Sequence, residues 1–113
     1  MIEKIFQLSD SIRYVALYKN GQLESKSKSN TSGASSSESD RYEELLVNPT
    51  LLKLASQRGN IDCGGLEYIL VRYGNFFQFV LPVSWGHVSV CMEADADPIQ
   101  IGSRVKLLVH AES

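Results

Sequence analysis

Three strand-like segments follow one another between residues 66 and 93, and they constrain the fold more than any other feature of the sequence. Each is rich in β-branched and aromatic residues, which favour extended backbone. The segments are Leu66 to Tyr73, Phe76 to Val83 and His87 to Glu93. The connections Gly74-Asn75 and Ser84-Trp85-Gly86 are too short for a crossover, so neighbouring strands pair antiparallel. The sequence therefore predicts a meander whose almost wholly apolar middle strand lies inside a sheet.

A second hairpin is predicted near the N-terminus. Ile12 to Tyr18 is a strand-like run, and the Asn20-Gly21 pair after it tolerates the positive φ angles of a type I′ turn. The returning segment, Leu23 to Lys28, is polar and carries lysines, as edge strands do. Before the hairpin, Met1 to Leu8 has the apolar spacing of a short helix. The five strands together can form one antiparallel sheet.

A Ser-rich stretch of low complexity, Ser29 to Ser39, follows the first hairpin. Such a composition has little apolar surface with which to offset the entropy of ordering, so a flexible loop is expected. With 113 residues, the chain has the length of one domain, and residues 1–113 are interpreted as a single unit that contains this loop.

Helical signals flank the meander. Asp40 with Glu43 three residues later resembles a capping box, which predicts a helix that starts at Arg41. Pro49 predicts that the helix either kinks or ends near Asn48 and restarts there, and a break at Asn48-Pro49 is the preferred prediction. The second half covers Thr50 to Arg58 and stops at Gly59. Asp97 and Pro98 open a last helix that ends near His110. The resulting fold class is α+β, in the order α-β-β-α-β-β-β-α.

Composition narrows the function classes. The net charge of -2 and the pI near 5.6 give no concentrated basic surface, so nucleic acid is not an expected partner. No apolar run has the length of a membrane span, and the N-terminus lacks a signal peptide's pattern, so a cytoplasmic protein without membrane insertion is expected. The two cysteines and two histidines have no metal-site spacing. We therefore expect neither a metal nor a cofactor.

The order of elements, together with Tyr18-Lys19-Asn20-Gly21, a leucine-rich middle helix and the hairpin Val71-Arg72-Tyr73-Gly74-Asn75, resembles the roadblock/dynein light-chain family of profilin-like fold. The resemblance covers nearly the whole chain. It implies a non-enzymatic domain that homodimerises through the middle helix and the following strand, and that binds or regulates Ras-like GTPases. The implied dimer interface comprises Leu45, Leu46, Leu51, Leu52, Leu54, Tyr68 and Leu70.

Aromatic residues gather around the second hairpin, where strand alternation sends some of them to each face of the sheet. Most are expected in the core. Those left exposed suit a protein interface, with an arginine between them to anchor an acidic partner. The candidate partner-binding residues are Arg72, Tyr73 and Trp85.

Two rival functions stay open. One is a small-molecule sensor of PAS-like or profilin-like architecture, with a ligand pocket between sheet and helices. The other is a cysteine-dependent enzyme that uses Cys63 as nucleophile with His87, although no catalytic-cysteine signature surrounds Cys63. The preferred interpretations are structural: Cys63 as a turn thiol, Cys91 as a core residue, and His87 as a surface or strand-end residue. The carboxylates Glu93, Asp95 and Asp97 suit a helix start better than a Ca²⁺ or Mg²⁺ site.

Overall fold

A computed structural model describes residues 1–28 and 37–112, and its architecture is α+β with one five-stranded antiparallel sheet. The strand order is β2-β1-β5-β4-β3. In chain order the elements are α1 (Ile2–Phe6), β1 (Ile12–Lys19), β2 (Gln22–Ser27), α2 (Ser37–Tyr42), a π-helical segment (Glu43–Val47), α3 (Asn48–Asp62), β3 (Ile69–Arg72), β4 (Phe76–Val83), β5 (Gly86–Glu93) and α4 (Pro98–Glu112). The predicted fold class and element order are confirmed.

The strand predictions are confirmed in their main features. β2 is an edge strand, β4 is an interior strand, and β3, β4 and β5 form the meander. β3 is shorter than predicted, since it begins at Ile69, opposite Val80, and not at Leu66. If the pairing continued two residues toward the N-terminus, Glu67 would face Pro82. Proline has no N–H to donate, so the ladder does not extend that far.

The hairpin turns depend on backbone that few residues adopt. Asn20 and Gly21 both have positive φ, 51° and 84°, which confirms the predicted turn between β1 and β2. Gly86 begins β5 at a φ of 149°, where a Cβ atom would lie 1.8 Å from the carbonyl oxygen of Tyr18. Only glycine fits there, and this close approach fixes the register between β1 and β5.

One face of the sheet carries the apolar core, covered by α1 and α4. Alternate residues of the three central strands point to this face, and Ile5, Ile101 and Val105 pack on them from the helices. α4 approaches so closely that a Cβ atom on Gly102 would lie 2.6 Å from the Phe79 ring. Tyr68 and Leu70 also pack against this core.

The other face of the sheet is covered by the middle helix, which consists of α2, the π-helical segment and α3. The predicted break in this helix at Asn48-Pro49 is wrong. The backbone stays helical through Val47 and Asn48, and a π-helical turn precedes Pro49, with the Asn48 N–H bonded to the Glu43 carbonyl. In an α-helix the ring of Pro49 would collide with the carbonyl of Leu45, and the wider turn relieves this collision.

The predicted ends of the middle helix also need correction. It begins at Ser37, upstream of the Asp40 cap, so the last residues of the predicted Ser29 to Ser39 loop are helical, while residues 29–36 lie outside the described part. It continues through Gly59 to Asp62. Gly59 lets the chain return close to the helix, because a Cβ atom there would make a tight contact, 3.2 Å, with the backbone of Gly65. Gly64, at a φ of 83°, follows the helix with the left-handed backbone expected of a stop residue.

Candidate functional site

The sheet face under the middle helix is polar, although it is buried. Strand pairing places residues of β1, β5 and β4 side by side in rows: Tyr14, Cys91 and Gln78 form one, and Tyr18, His87 and Pro82 form another. Gln78, His87 and Ser89 are all at most 2% exposed. Gln78 donates to the Ser89 hydroxyl and accepts from the Cys91 thiol at 2.8 Å. Hydrogen bonds among neighbours therefore offset the cost of burying these groups.

The π-helical segment adds a buried carboxylate to this face. Glu44 is fully buried, and its Oε1 lies 2.8 Å from His87 Nε2 and accepts a hydrogen bond from Asn48 Nδ2 at 3.0 Å. The His87 ring stacks on Tyr18, with a centroid distance of 5.3 Å. Glu44 and Asn48 are four residues apart, so both point from one face of the helix toward the sheet.

The expectation that His87 is a surface or strand-end residue is therefore half wrong. It is the second residue of β5, at the end of the strand as expected, but only 2% of it is exposed. The reason is long-range: Glu44 comes from a helix 43 residues earlier and covers it. The expectation that Cys91 is a core residue is confirmed, and burial raises the pKa of its thiol.

A cleft of about 450 Å³ lies between the start of the middle helix and the hairpin of β3 and β4. Three carboxylates from the helix line it: Asp40, Glu43 and Glu44. Four aromatic rings form its apolar walls, and the Gly74-Asn75 turn closes one end. The rings belong to Tyr14, Tyr42, Tyr73 and Phe76. None of the described residues that line the cleft is basic.

Tyr73 and Glu43 join the two sides of the cleft. The Tyr73 hydroxyl lies 2.9 Å from Glu43 Oε1 and 3.2 Å from Oε2. Burial raises the pKa of Glu43, while the Tyr73 hydrogen bond lowers it and the nearby charges of Glu44 and Asp40 raise it. Burial and the Glu43 carboxylate together raise the pKa of Tyr73 to about 12.

Two oxygen atoms of residues that line the cleft have no hydrogen-bond partner among the described residues. They are Glu44 Oε2 and the Tyr14 hydroxyl, both on side chains that are more than nine-tenths buried. The Ser25 hydroxyl is near enough to Tyr14 to lower its pKa, but it lacks hydrogen-bond geometry. Burial and the Glu44 carboxylate outweigh this effect and raise the Tyr14 pKa. Buried oxygens without a partner are uncommon, and each of these two could still accept a hydrogen bond.

The helical residues of the implied dimer interface lie along the middle helix. Leu46 and Leu54 are exposed, at 56% and 60%, whereas the others are half-buried. The half-buried ones are Leu45, Leu51 and Leu52. Tyr68 and Leu70 lie apart from them, since both pack against the core on the α4 side of the sheet and Tyr68 contacts the Phe79 ring.

The three partner-binding candidates do not form one patch. Arg72 and Tyr73 lie together at the β3–β4 turn, where the Arg72 guanidinium sits 4.8 Å from the Phe77 ring centre and donates to the Gly74 carbonyl at 3.1 Å. Trp85 lies at the opposite end of β4, packed against the core with Lys19 over its ring. A strand of eight residues spans about 25 Å, so one small contact cannot cover all three.

The structure does not pair Cys63 with His87. Cys63 is exposed just after α3 and its thiol donates to Asp62 at 3.4 Å, whereas His87 is buried against Glu44. At the last helix, Asp97 Oδ1 accepts from the Gln100 N–H at 3.2 Å, which confirms helix capping for that carboxylate. Among the described residues, no group of three or more His, Cys, Asp or Glu side chains is placed to hold a metal ion.

No family model matches the chain, and a search of curated proteins finds no match either. The likeness to the roadblock/dynein light-chain family therefore stays a prediction beyond its α+β architecture. Within residues 1–28 and 37–112, no helix has the length and apolar character needed to cross a membrane.

Proposed function

We propose that this chain is a non-catalytic, cytoplasmic adaptor that homodimerises through the outer face of α3. The observation that supports this is the poor burial of the helix: its only buried residues are Asn48 and Gly59. A helix of 15 residues that buries no large apolar side chain gains little from packing on its own sheet. Its remaining apolar surface fits a second copy of the same helix.

The exposed apolar residues of α3 have a suitable arrangement. Leu54 and Ile61, which are 60% and 75% exposed, are seven residues apart and so lie on one helical face. Leu46 extends the apolar surface onto the π-helical segment. Arg58 is exposed on the same face between Leu54 and Ile61 and pairs with Asp62 at 2.6 Å, while Lys53 is exposed to one side.

Substitutions at Leu54 and Ile61 test the dimer better than substitutions at Leu51 and Leu52. Leu51 and Leu52 are half-buried, so they also contribute to the packing of the monomer. Replacing Leu54 and Ile61 with Asp should dissociate a dimer and leave the fold intact. Leu107, which is 73% exposed on α4, provides the matched control.

The partner class that the resemblance suggests is a Ras-like GTPase. Biolayer interferometry with purified Ras-like GTPases, each loaded with GDP or a non-hydrolysable GTP analogue, tests it. We expect saturable binding by the native chain and by Leu107→Asp, and weaker binding by the Leu54→Asp/Ile61→Asp variant. A native dimer that binds none of these GTPases would retain the dimer proposal and remove the GTPase.

The acidic, aromatic cleft favours a second candidate function, a small-molecule sensor domain. Its volume of about 450 Å³ is in the usual range of ligand pockets, and apolar walls with a few polar groups are typical of such sites. Native mass spectrometry of the freshly purified chain tests this candidate. A retained small molecule that is lost on denaturation would support it.

A further inference from the structure

We propose that the cleft binds an organic cation, a protonated amine or guanidinium group on an apolar body, held by Glu43 and Glu44 between aromatic rings. The inference rests on the second candidate function, a ligand site in this cleft, and specifies the chemistry of its ligand.

The charge of the lining selects the ligand class. Asp40, Glu43 and Glu44 all come from the helical side of the cleft, and no described lining residue is basic. Two arginines lie beside the lining: Arg72 donates to the Gly74 carbonyl at 3.1 Å, and the Arg13 guanidinium lies 5.4 Å from the Phe76 ring centre. Arg72 also stacks on the Phe77 ring at 4.8 Å. Arg13 also pairs with Glu93 at 3.7 Å and donates to the Asn75 carbonyl at 3.3 Å. Among the described residues, neither Glu43 nor Glu44 pairs with a lysine or an arginine, so both carboxylates could pair with a cationic ligand.

The unpartnered oxygens belong to lining residues and could accept hydrogen bonds from such a ligand. Glu44 uses Oε1 for His87 and Asn48, while Oε2 has no partner among the described residues. A buried carboxylate oxygen without a donor is costly. An ammonium or guanidinium group carries several N–H donors, so one such group could bond Glu44 Oε2 and reach the Tyr14 hydroxyl or Glu43.

The walls of the cleft suit the rest of the ligand. Tyr73 and Phe76 present rings whose centres are 5.2 Å apart, and Tyr42 adds a third ring that is 61% exposed. Aromatic faces attract cations through their quadrupole, and this attraction adds to the pairing with carboxylates. The rings also remove apolar surface of the ligand from water. Anions and strongly hydrated neutral ligands are disfavoured by the same lining.

The test is a titration of the ¹⁵N-labelled full chain, followed by two-dimensional NMR. The probes are benzylamine, which is a cation at neutral pH, and benzyl alcohol, its neutral near-isostere. We expect benzylamine to shift the amide signals of Glu43, Gly74 and Asn75 saturably, and to bind at least about tenfold more tightly than benzyl alcohol, as expected for one charge-assisted hydrogen bond.

Glu43→Gln removes one charge and keeps an acceptor for the Tyr73 hydroxyl, so this variant should fold. It should weaken benzylamine binding about tenfold and leave benzyl alcohol unchanged. Glu67→Gln is the matched control, since Glu67 is an exposed carboxylate that pairs with Lys106 away from the cleft. The Glu67→Gln variant should bind benzylamine as tightly as the native chain does.

Equal affinity for the two probes would overturn the cation inference and retain a ligand site. If neither probe shifts the signals of the cleft, the cation inference fails. The sensor candidate fails as well if native mass spectrometry also finds no retained small molecule. The tripeptides acetyl-Gly-Lys-Gly-amide and acetyl-Gly-Arg-Gly-amide identify the source of the cation. Tighter binding of a tripeptide than of benzylamine would assign the site to a basic side chain of a protein partner, and weaker binding would assign it to a small ligand.

Discussion

His87→Phe tests whether the buried contact between Glu44 and His87 holds the middle helix on the sheet. Phenylalanine keeps a ring that can stack on Tyr18, but it removes the nitrogen that lies 2.8 Å from Glu44 Oε1. Glu44 would then be a buried carboxylate whose one described partner is Asn48. Removing one partner of a buried pair typically costs about 3–5 kcal/mol, because the other group stays buried without compensation.

This cost is large against the stability of a small domain, which is about 5–15 kcal/mol. At roughly 4 °C for each kcal/mol, the midpoint of thermal unfolding should fall by roughly 12–20 °C. Urea unfolding followed by the fluorescence of Trp85, the single tryptophan, measures the free energy directly. Trp85 packs against the core on the opposite face, so the substitution leaves the reporter in place.

Adding Glu44→Gln to His87→Phe separates the effect of the charge from that of the shape. A neutral amide costs less to bury than a carboxylate and can still accept from Asn48, so the double variant should regain at least about 1 kcal/mol. A loss below about 1 kcal/mol for His87→Phe alone would refute this reasoning. A further loss on adding Glu44→Gln would refute it as well.

Other positions give independent predictions. Gly86→Ala should lower the free energy of unfolding in urea by at least about 2 kcal/mol, because the new Cβ atom would overlap the Tyr18 carbonyl. An unchanged free energy of unfolding would contradict the register of β1 and β5. At neutral pH an aromatic disulfide reagent should label Cys63 alone in the native chain and both thiols in denaturant, because burial shields Cys91 and raises its pKa. Rapid labelling of Cys91 in the native chain would show that the middle helix does not cover this face of the sheet. The raised pKa of Glu43 means that the folded state favours its protonated form. Stability should therefore fall as pH rises through the range above about 4, where an ordinary glutamate loses its proton, and Glu43→Gln should lose this part of the decrease. An identical pH profile for the variant would exclude that cause.

Much of the fold follows from local chemistry that the sequence displays. The Asn20-Gly21 turn, the lysines of β2 and the apolar run of β4 each define a strand or turn within a few residues. Strand lengths and helix ends depend on more distant contacts. β3 begins only at Ile69, because an earlier start would place Glu67 opposite Pro82. The middle helix passes through Gly59, where the chain returns close to it at Gly65.

The candidate site was harder to predict, because its parts are far apart in sequence. His87, Ser89 and Cys91 alternate with the apolar residues of β5, a pattern that usually marks a solvent face. Here a helix covers that face and supplies Glu44. The one local signal was Pro49 within a helical pattern, which predicted an irregularity but not the π-helical turn that buries Glu44.

The central claim is that the poorly buried α3 is a dimer surface, and the mass in solution tests it most directly. Light scattering on the native chain across a concentration series should give twice the chain mass of 12.6 kDa. The Leu54→Asp/Ile61→Asp variant should give a folded species of 12.6 kDa, and Leu107→Asp should remain dimeric. A native mass of 12.6 kDa at every concentration, or a dimer that both aspartates leave intact, would contradict the account.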